Sequence, residues 1–342
     1  MREFIIGENE AGQRLDKYLA KLLSKAPKSF YYKMLRKKNI TLNGGRAQGM
    51  EILKNGDAVK LFLSEETIEK FSDRARPKAL SRASTCKKPD ILYEDRDVLL
   101  LNKPAGILSQ PGEGGVPSLV EEVTAYLLAS GQLTPEELGT FHPGVCNRLD
   151  RNTSGVVAAG KSLAGLQELS RLFHDRSVKK YYLCVVQGCL KEEKDIKGYL
   201  HKDEKCNKVV VAREEMPGAL PIETRYRPLC ANRRMTLLEV ELITGRTHQI
   251  RAHLAAMGHP LAGDTKYGAR DFNQYFRGKY HLQHQLLHAY RLRFPAECGR
   301  LVPLQNRSFE APLPTLFRKI LEGEQLQNSE ITNLCEQVRR KK

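Results

Sequence analysis

Apolar positions in the first sixty residues recur at helical spacing before they begin to alternate. Leu15, Tyr18, Leu19, Leu22 and Leu23 fall three and four apart, which predicts an amphipathic helix, and a second helix is expected from Ser29 to about Lys38. Ile40-Thr41-Leu42 then runs into Asn43-Gly44, a strong tight-turn signal. Asn55-Gly56-Asp57 marks another turn, ahead of a stretch from Ala58 to Leu63 with strand composition. Residues 64–88 lose this periodicity. They are rich in Ser, Arg and Lys and poor in large apolar side chains, and they read as a mobile basic linker.

From Asp90 to about Gly323 strands alternate with helices. Ile91–Tyr93 and Val98–Leu101 are expected as strands around the turn Glu94–Asp97, with amphipathic helices over Pro117–Leu128 and Leu163–Phe173. Val178–Val186, Val209–Val211, Thr224–Leu229 and Met235–Leu242 read as further strands, several rich in β-branched or aromatic residues. Adjacent strands with short links predict an α+β fold, a mixed and largely antiparallel sheet flanked by helices. The expected division is a small α/β unit (1–63), the linker (64–88), a large domain (89–325) and a polar basic tail (326–342) ending in Arg339-Arg340-Lys341-Lys342. There is no internal repeat.

The 342 residues suit about two domains. A hydrophobic fraction of 41% supplies a core and excludes wholesale disorder. No run of about 18 apolar residues predicts a membrane span. The N-terminus carries Glu8 and Glu10 and no small-residue cleavage site, so a cytoplasmic protein is expected. Eight cysteines with no CxxC pair read as reduced thiols rather than a disulfide framework or a zinc site. Charge says more: 56 Lys and Arg against 40 Asp and Glu leave +16, which fits either simple solubility or a polyanionic partner, nucleic acid first. Lys33, Arg36 and Lys37 share a face of the second helix, with Lys28 and Lys38 flanking it and Tyr31 and Tyr32 nearby. Such a face suits phosphates and unstacked bases; the alternative is an ordinary solvated face.

Three segments could carry chemistry. In Asn147-Arg148-Leu149-Asp150-Arg151-Asn152-Thr153-Ser154-Gly155 a carboxylate lies between two arginines, in a polar turn running into an apolar strand. Neighbouring guanidinium groups favour its ionised form, fit for a nucleophile or base or for a loop-anchoring ion pair. In Val178-Lys179-Lys180-Tyr181-Tyr182 the side chains of Lys180 and Tyr182 share a strand face, and Tyr182 is either a functional ring or an ordinary core tyrosine. In Thr244-Gly245-Arg246-Thr247-His248-Gln249-Ile250-Arg251-Ala252-His253-Leu254 a strand is expected to end at Gly245 and a helix to begin with Thr247 as its N-cap. Arg246 then projects from a junction suited to gripping a carboxylate or phosphate. The spacing of His248, His253 and His259 does not make a metal set.

Taken in order with Asn102-Lys103-Pro104-Ala105-Gly106 and Leu287-His288-Ala289-Tyr290, these segments resemble the RluA-type pseudouridine synthase family over roughly Asp90 to Gly323. The N-terminal pieces, Arg14-Leu15-Asp16-Lys17-Tyr18-Leu19 and Ser29–Lys37 followed by Thr41-Leu42-Asn43-Gly44 and Gly56-Asp57, resemble an S4-type RNA-binding domain, which members of that family often carry. The resemblance implies isomerisation of specific uridines in structured RNA, most of all large-subunit ribosomal RNA, with transfer RNA as the rival. It implies Asp150 as the catalytic aspartate and Arg148 as the arginine entering the RNA stack where the uridine leaves. It also implies Tyr182 packing on the uracil and Arg246 pairing with the aspartate to fix its orientation. Asn147, Thr153, Lys180, Lys28, Lys33, Arg36 and Lys37 complete the expected RNA-binding set.

The family usually has His where this chain has Asn147, which cannot carry a charge near neutral pH. Isomerisation involves no redox step and consumes no water, so neither a metal nor an organic cofactor is expected, and a monomer is anticipated. The competing class is a non-catalytic RNA-binding or ribosome-assembly factor keeping the fold. Decay to such a factor should have removed Asp150, Tyr182 or Arg246, and all three are present.

Overall fold

The computed structural model describes residues 1–72, 87–112, 116–135, 137–203, 208–212 and 214–327. The N-terminal unit is a four-stranded antiparallel sheet in the order β1-β4-β2-β3, made of β1 (Arg2–Ile5), β2 (Ile40–Leu42), β3 (Gly45–Arg46) and β4 (Ala58–Leu61). The helices α1 (Leu15–Leu22) and α2 (Lys28–Arg36) cover it. Leu15, Tyr18 and Leu19 of α1 and Tyr31 and Leu35 of α2 close on Ile40, Val59 and Leu61. Asn43 and Gly44 both take positive φ, which is what a two-residue turn between β2 and β3 requires.

The stretch expected as a linker begins instead with a helix, α3 (Glu65–Phe71). Ser64 caps it by accepting from the Thr67 N–H, Glu65 and Glu66 suit its first turn, and Ile68 is buried in the N-terminal core. The Phe71 ring packs on Phe30 with centroids 4.4 Å apart. The rest of the expected linker, residues 73–86, and the tail from 328 on lie outside the described residues. A short contact joins the N-terminal unit to the large domain. Asn9 donates to Glu137 at 3.2 Å, Thr140 donates to Glu10 at 2.5 Å, and Glu8 pairs with Arg96.

The large domain is one eleven-stranded sheet. Its strands are β5 (Ile91–Glu94), β6 (Val98–Lys103), β7 (Gly144–Val145), β8 (Ser154–Gly160), β9 (Lys179–Gln187), β10 (Lys194–Asp203), β11 (Lys208–Ala212), β12 (Leu220–Ala231), β13 (Met235–Leu242), β14 (Leu287–Arg293) and β15 (Ser308–Glu310). The order is β11-β10-β12-β13-β9-β14-β8-β6-β5, with β15 beside β14 and β7 beside β8. Among the described residues every pairing in this sheet is antiparallel except β14 with β8, so the sheet is mixed and mostly antiparallel, as the sequence predicts.

Alternate side chains of the central strands feed cores on opposite faces. Leu99, Leu101, Val157, Tyr182, Cys184 and Val240 point to the face covered by α4 (Leu119–Ala129) and α6 (Gln249–Ala256). On the other face, Val98, Leu100, Val156 and Ala158 meet α5 (Leu163–His174). Leu183, Val185 and Leu237 meet α7 (Arg270–Tyr280) and α8 (Thr315–Gly323) there too. Because both faces are covered, β8 is buried along its whole length and reads as a continuous apolar run. Leu326 is also fully buried in this core, one residue beyond the boundary expected at 325.

Gly155 is fixed by the parallel pairing. Its φ is +121°, and a Cβ there would stand 2.1 Å from the Ala289 carbonyl oxygen of β14, so only glycine lets β8 approach β14 this closely. His288 of β14 ties the same junction. Its Nε2 donates to the Ala311 carbonyl at 3.2 Å, which leaves Nδ1 to accept from the Ser154 hydroxyl at 2.8 Å. No helix among the described residues is long and apolar enough to cross a membrane.

Candidate active site

The turn entering β8 and the turn after β13 face each other across an open cavity of about 740 Å³. Arg148, Asp150, Lys180, Tyr182, Arg246, His248 and Arg251 all line it. The first turn is pinned from outside. Ser109 Oγ accepts from the Leu149 N–H at 3.0 Å and donates to the Leu149 carbonyl at 2.8 Å. The fully buried Lys103 donates to the carbonyls of Pro104, Ile107 and Arg151 at 2.9, 2.9 and 3.1 Å. Burial pulls the Lys103 ammonium down to about 8, against the Asp150 and Glu122 charges that raise it. Leu149 is thereby buried, while Arg148 and Asp150 on either side face the cavity, Arg148 exposed at its mouth.

The partner of Asp150 is Arg251, not Arg246. The Nη1 of Arg251 donates to Asp150 Oδ2 at 2.8 Å, while its Nε and Nη2 grip both oxygens of the buried Asp264 at 2.7 and 2.9 Å. The reason is helical register. Arg251 lies on the buried side of α6, one turn in, whereas Arg246 precedes the helix and lines the cavity wall. Asp264 also accepts from the N–H groups of Lys266 and Tyr267 at 2.8 and 3.1 Å. Burial opposes its charge, but the Arg251 hydrogen bonds outweigh that and hold its carboxyl below the ordinary range. Burial works against the Arg251 charge too, and the two carboxylates more than offset it. The guanidinium is therefore a fixed cationic bridge between one buried carboxylate and one that faces the cavity.

Tyr182 lies on β9 with its ring in the core beside the cavity. Burial, with the Asp150 charge adding to it, raises its phenol well above the ordinary value, so it stays protonated. Lys180, two residues back on the same face, has its Nζ within 3.8 Å of where a Gly245 Cβ would stand. Burial and then the Arg176 charge lower its ammonium.

The second turn differs from its sequence reading. The strand β13 spans Met235–Leu242 as its composition predicts and does not run on to Gly245, and Thr247 does not cap α6. The cap position is His248, in the left-handed conformation at φ 54° and ψ 17°. The buried Gln249 shapes this turn. Its Oε1 accepts from the Thr244 hydroxyl and the Arg246 N–H at 2.8 and 3.1 Å, and its amide donates to the Glu223 carbonyl and Thr224 Oγ1, both at 3.0 Å. A polar side chain just inside a helix start thus replaces the expected Thr cap.

Two members of the expected RNA-binding set line the cavity and are also bonded to the protein itself. The Asn147 amide donates to the Val156 carbonyl at 3.1 Å and its oxygen accepts from the Ala158 N–H at 2.8 Å, so the side chain continues the sheet ladder. Thr153 is buried and its hydroxyl accepts from Gln285 at 3.2 Å. Both satisfy buried polar groups that burial would otherwise penalise. Lys33, Arg36 and Lys37 are exposed on α2, and the Lys28 ammonium stands 5.9 Å from the Tyr32 ring centre. No group of three or more His, Cys, Asp or Glu side chains gathers into a metal cradle among the described residues. His253 and His259 are taken instead by Thr224 Oγ1 at 3.1 Å and the Gln187 carbonyl at 2.9 Å. Cys146, Cys184, Cys189, Cys230 and Cys298 are free thiols.

Comparison with known proteins places this arrangement. The family described as RNA pseudouridylate synthase matches residues 97–256. The chain is 33% identical over 321 residues to the ribosomal large subunit pseudouridine synthase C of Vibrio parahaemolyticus, covering 93% of this chain and 95% of that protein. It is 32% identical, again over 321 residues, to the protein of the same name from Haemophilus influenzae, covering 93% and 94%. The solved structure of human RNA pseudouridylate synthase domain containing 4 superposes with a TM-score of 0.57 at 21% identity, over 72% of this chain and 97% of that one, a likeness of fold.

Proposed function

The chain belongs to the RNA pseudouridylate synthase family, and from that premise we propose that it isomerises uridines of large-subunit ribosomal RNA with Asp150 as the catalytic carboxylate. The observation that carries the residue assignment is the Arg251 bridge, which anchors Asp150 on the buried Asp264 while leaving it facing a cavity large enough for a nucleotide. The substrate class rests on the relatives, which carry the large ribosomal subunit in their names and align along nearly their whole length.

The chemistry follows from these groups. The C1′–N1 bond breaks, the uracil turns, C1′ bonds to C5, the C5 hydrogen leaves to solvent as a proton, and N1 takes up a proton in its place. Charge separates as in glycoside cleavage, the sugar becoming electron-poor while the base carries the negative charge. Asp150 engages the ribose, either attacking C1′ or taking the C2′ proton, with Arg251 fixing the oxygen it uses. The Tyr182 ring offers a flat apolar surface for the uracil, and its protonated phenol a polar tip near C5. The nucleotide has to leave its stack to reach Asp150, which costs a few kcal/mol; Arg148, exposed at the mouth, fills the gap and offsets part of that cost. Arg246 and Lys180 line the wall as cations for the phosphates on either side. The N-terminal unit, read as S4-like, adds Lys28, Lys33, Arg36 and Lys37 as a second contact.

Tritium release from C5-labelled uridine in large-subunit ribosomal RNA tests this. Wild type releases label and Asp150→Asn does not, while binding the RNA with nearly unchanged affinity. Equal release by the two proteins removes Asp150 from the chemistry; no release by wild type from ribosomal RNA or partly assembled subunits refutes the substrate.

A further inference from the structure

His248 has no part in the chemistry above, yet it occupies a costly position at its centre. Its left-handed backbone is one that a side chain with a Cβ rarely adopts, and such conformations persist where the surroundings enforce them, often at functional sites. The Gln249 hydrogen bonds to Thr244 and to the Arg246 N–H enforce this one.

The ring is oriented as firmly as the backbone. Its Nδ1 stands 3.0 Å from the Tyr267 hydroxyl, and the two rings meet edge-on with centroids 5.7 Å apart. The Tyr267 oxygen already accepts the Val209 N–H at 3.0 Å, which directs its own proton to His248 Nδ1. Burial lowers the His248 pKa, the Asp150 charge only partly offsetting it, so the ring is neutral. A neutral ring that accepts at Nδ1 carries its hydrogen on Nε2. That Nε2 is 3.9 Å from Asp150 Oδ2, too far for a hydrogen bond, and Arg251 already donates to the same oxygen. The ring thus presents a donor hydrogen beside the carboxylate with a gap between them.

We propose that His248 is a further catalytic residue, donating its Nε2 hydrogen to an oxygen of the uridine held at Asp150. The acceptor is a ribose hydroxyl or a uracil carbonyl, whichever the bound nucleotide presents in that gap. Tyr267 is the positioning residue that sets the tautomer. The proposal rests on the assignment of Asp150 above.

The test compares His248→Phe, which keeps a ring but no donor, with His248→Gln, which keeps an N–H donor, and with Tyr267→Phe, which releases the tautomer. Single-turnover tritium release at saturating C5-labelled ribosomal RNA is read alongside RNA affinity. His248→Phe is expected to slow release about 10- to 100-fold, the worth of one hydrogen bond to developing charge, with affinity within about twofold. His248→Gln is expected to recover most of that loss, and Tyr267→Phe to fall between Phe and wild type. Should His248→Phe fold poorly, the Gln and Tyr267→Phe variants still decide, since a His248→Gln rate as low as that of Asp150→Asn overturns the donor role. Equal rates for His248→Phe and wild type, or an equal loss in the Phe and Gln variants, also overturn it. A further arm names the acceptor: with a 2′-deoxyuridine at the modified position, a Phe penalty that disappears assigns the hydroxyl and one that persists assigns the carbonyl. Release by wild type is the control, because its absence refutes the underlying assignment and this one with it, whereas equal release by wild type and His248→Phe refutes this one alone.

Discussion

Replacing Arg251 with Met separates what its guanidinium does for the fold from what it does for Asp150. The single substitution strips the fully buried Asp264 of a bidentate partner at 2.7 and 2.9 Å. Breaking a buried pair from one side costs roughly 3–5 kcal/mol of stability. It also removes the 2.8 Å bond to Asp150, and hydrogen bonds to charged groups contribute about 1.5–3 kcal/mol, or roughly 10- to 100-fold in rate if that bond holds the carboxylate in its reactive pose. Arg251→Met alone therefore loses both stability and activity and proves little.

The informative protein is Arg251→Met with Asp264→Leu. With neither charge buried, stability in urea should recover most of what the single loses, because a buried ion pair replaced on both sides is often neutral. It should stop about 1–3 kcal/mol short of wild type because the Lys266 and Tyr267 N–H groups lose the Asp264 oxygen. Activity should not return, since Asp150 still lacks its partner. Urea denaturation and single-turnover release, run on both singles and the double, complete a cycle in which the double regains the stability lost by the Arg251→Met single but not its rate. A double variant that folds like wild type and also turns over like wild type would sink the claim that Arg251 orients Asp150.

Three further outcomes follow from the geometry. Asn147→Ala should cost about 1–3 kcal/mol, because the Ala158 N–H and Val156 carbonyl lose their partner inside the sheet; RNA affinity should not change, and a binding defect in a stably folded variant would return Asn147 to the RNA interface. Replacing Lys33, Arg36 and Lys37 together should flatten the dependence of RNA affinity on salt by up to about three units of logarithmic slope, and an unchanged slope would assign that face of α2 to solvent. Burial holds His288 down to about 4, below its unfolded value near 6.5. The unfolded chain therefore binds the extra proton between these values, and stability falls as pH drops from about 6.5 to 4, by about 3 kcal/mol for this group. His288→Asn should remove that part of the slope in urea titrations, though at some cost at neutral pH.

The elements legible in the sequence were those with a strong local signature. Periodic leucines marked α1, Asn43-Gly44 marked the first hairpin, and the apolar run after Gly155 marked β8. The missed elements have weaker ones. The strand β10 is a charged stretch, Lys194 to Asp203, whose strand character comes from pairing with β11 and β12. The helix α7 buries Phe272, Phe276 and Tyr280 at intervals of four, a pattern legible in principle but interrupted by Gly278 and several charges. At the site, the turn residues Asp150 and Arg246 and the strand residue Tyr182 were identified as a group, and they do line one cavity. Which arginine meets the aspartate was not legible, because it depends on where α6 begins, and a glutamine side chain rather than a threonine hydroxyl sets that start. The bonds that Asn147 and Thr153 make within the protein were not legible for a related reason: a polar residue in a motif can serve the groups folded against it, and only the folded register tells which.

The parallel pairing of β8 with β14 has a consequence for how the protein comes into being. Ser154 and His288, whose side chains join the two strands, are 134 positions apart, so the turn bearing Asp150 is walled on that side only after nearly the whole large domain has been synthesised. Closing so long a loop is entropically slow and leaves the edge of β8 open meanwhile. A nascent chain still on the ribosome therefore carries every residue of the Asn147–Gly155 turn without the support that holds it, and activity should arrive as a late, all-or-none event. Fragments ending before Leu287 should bind RNA at most through the N-terminal unit and modify none.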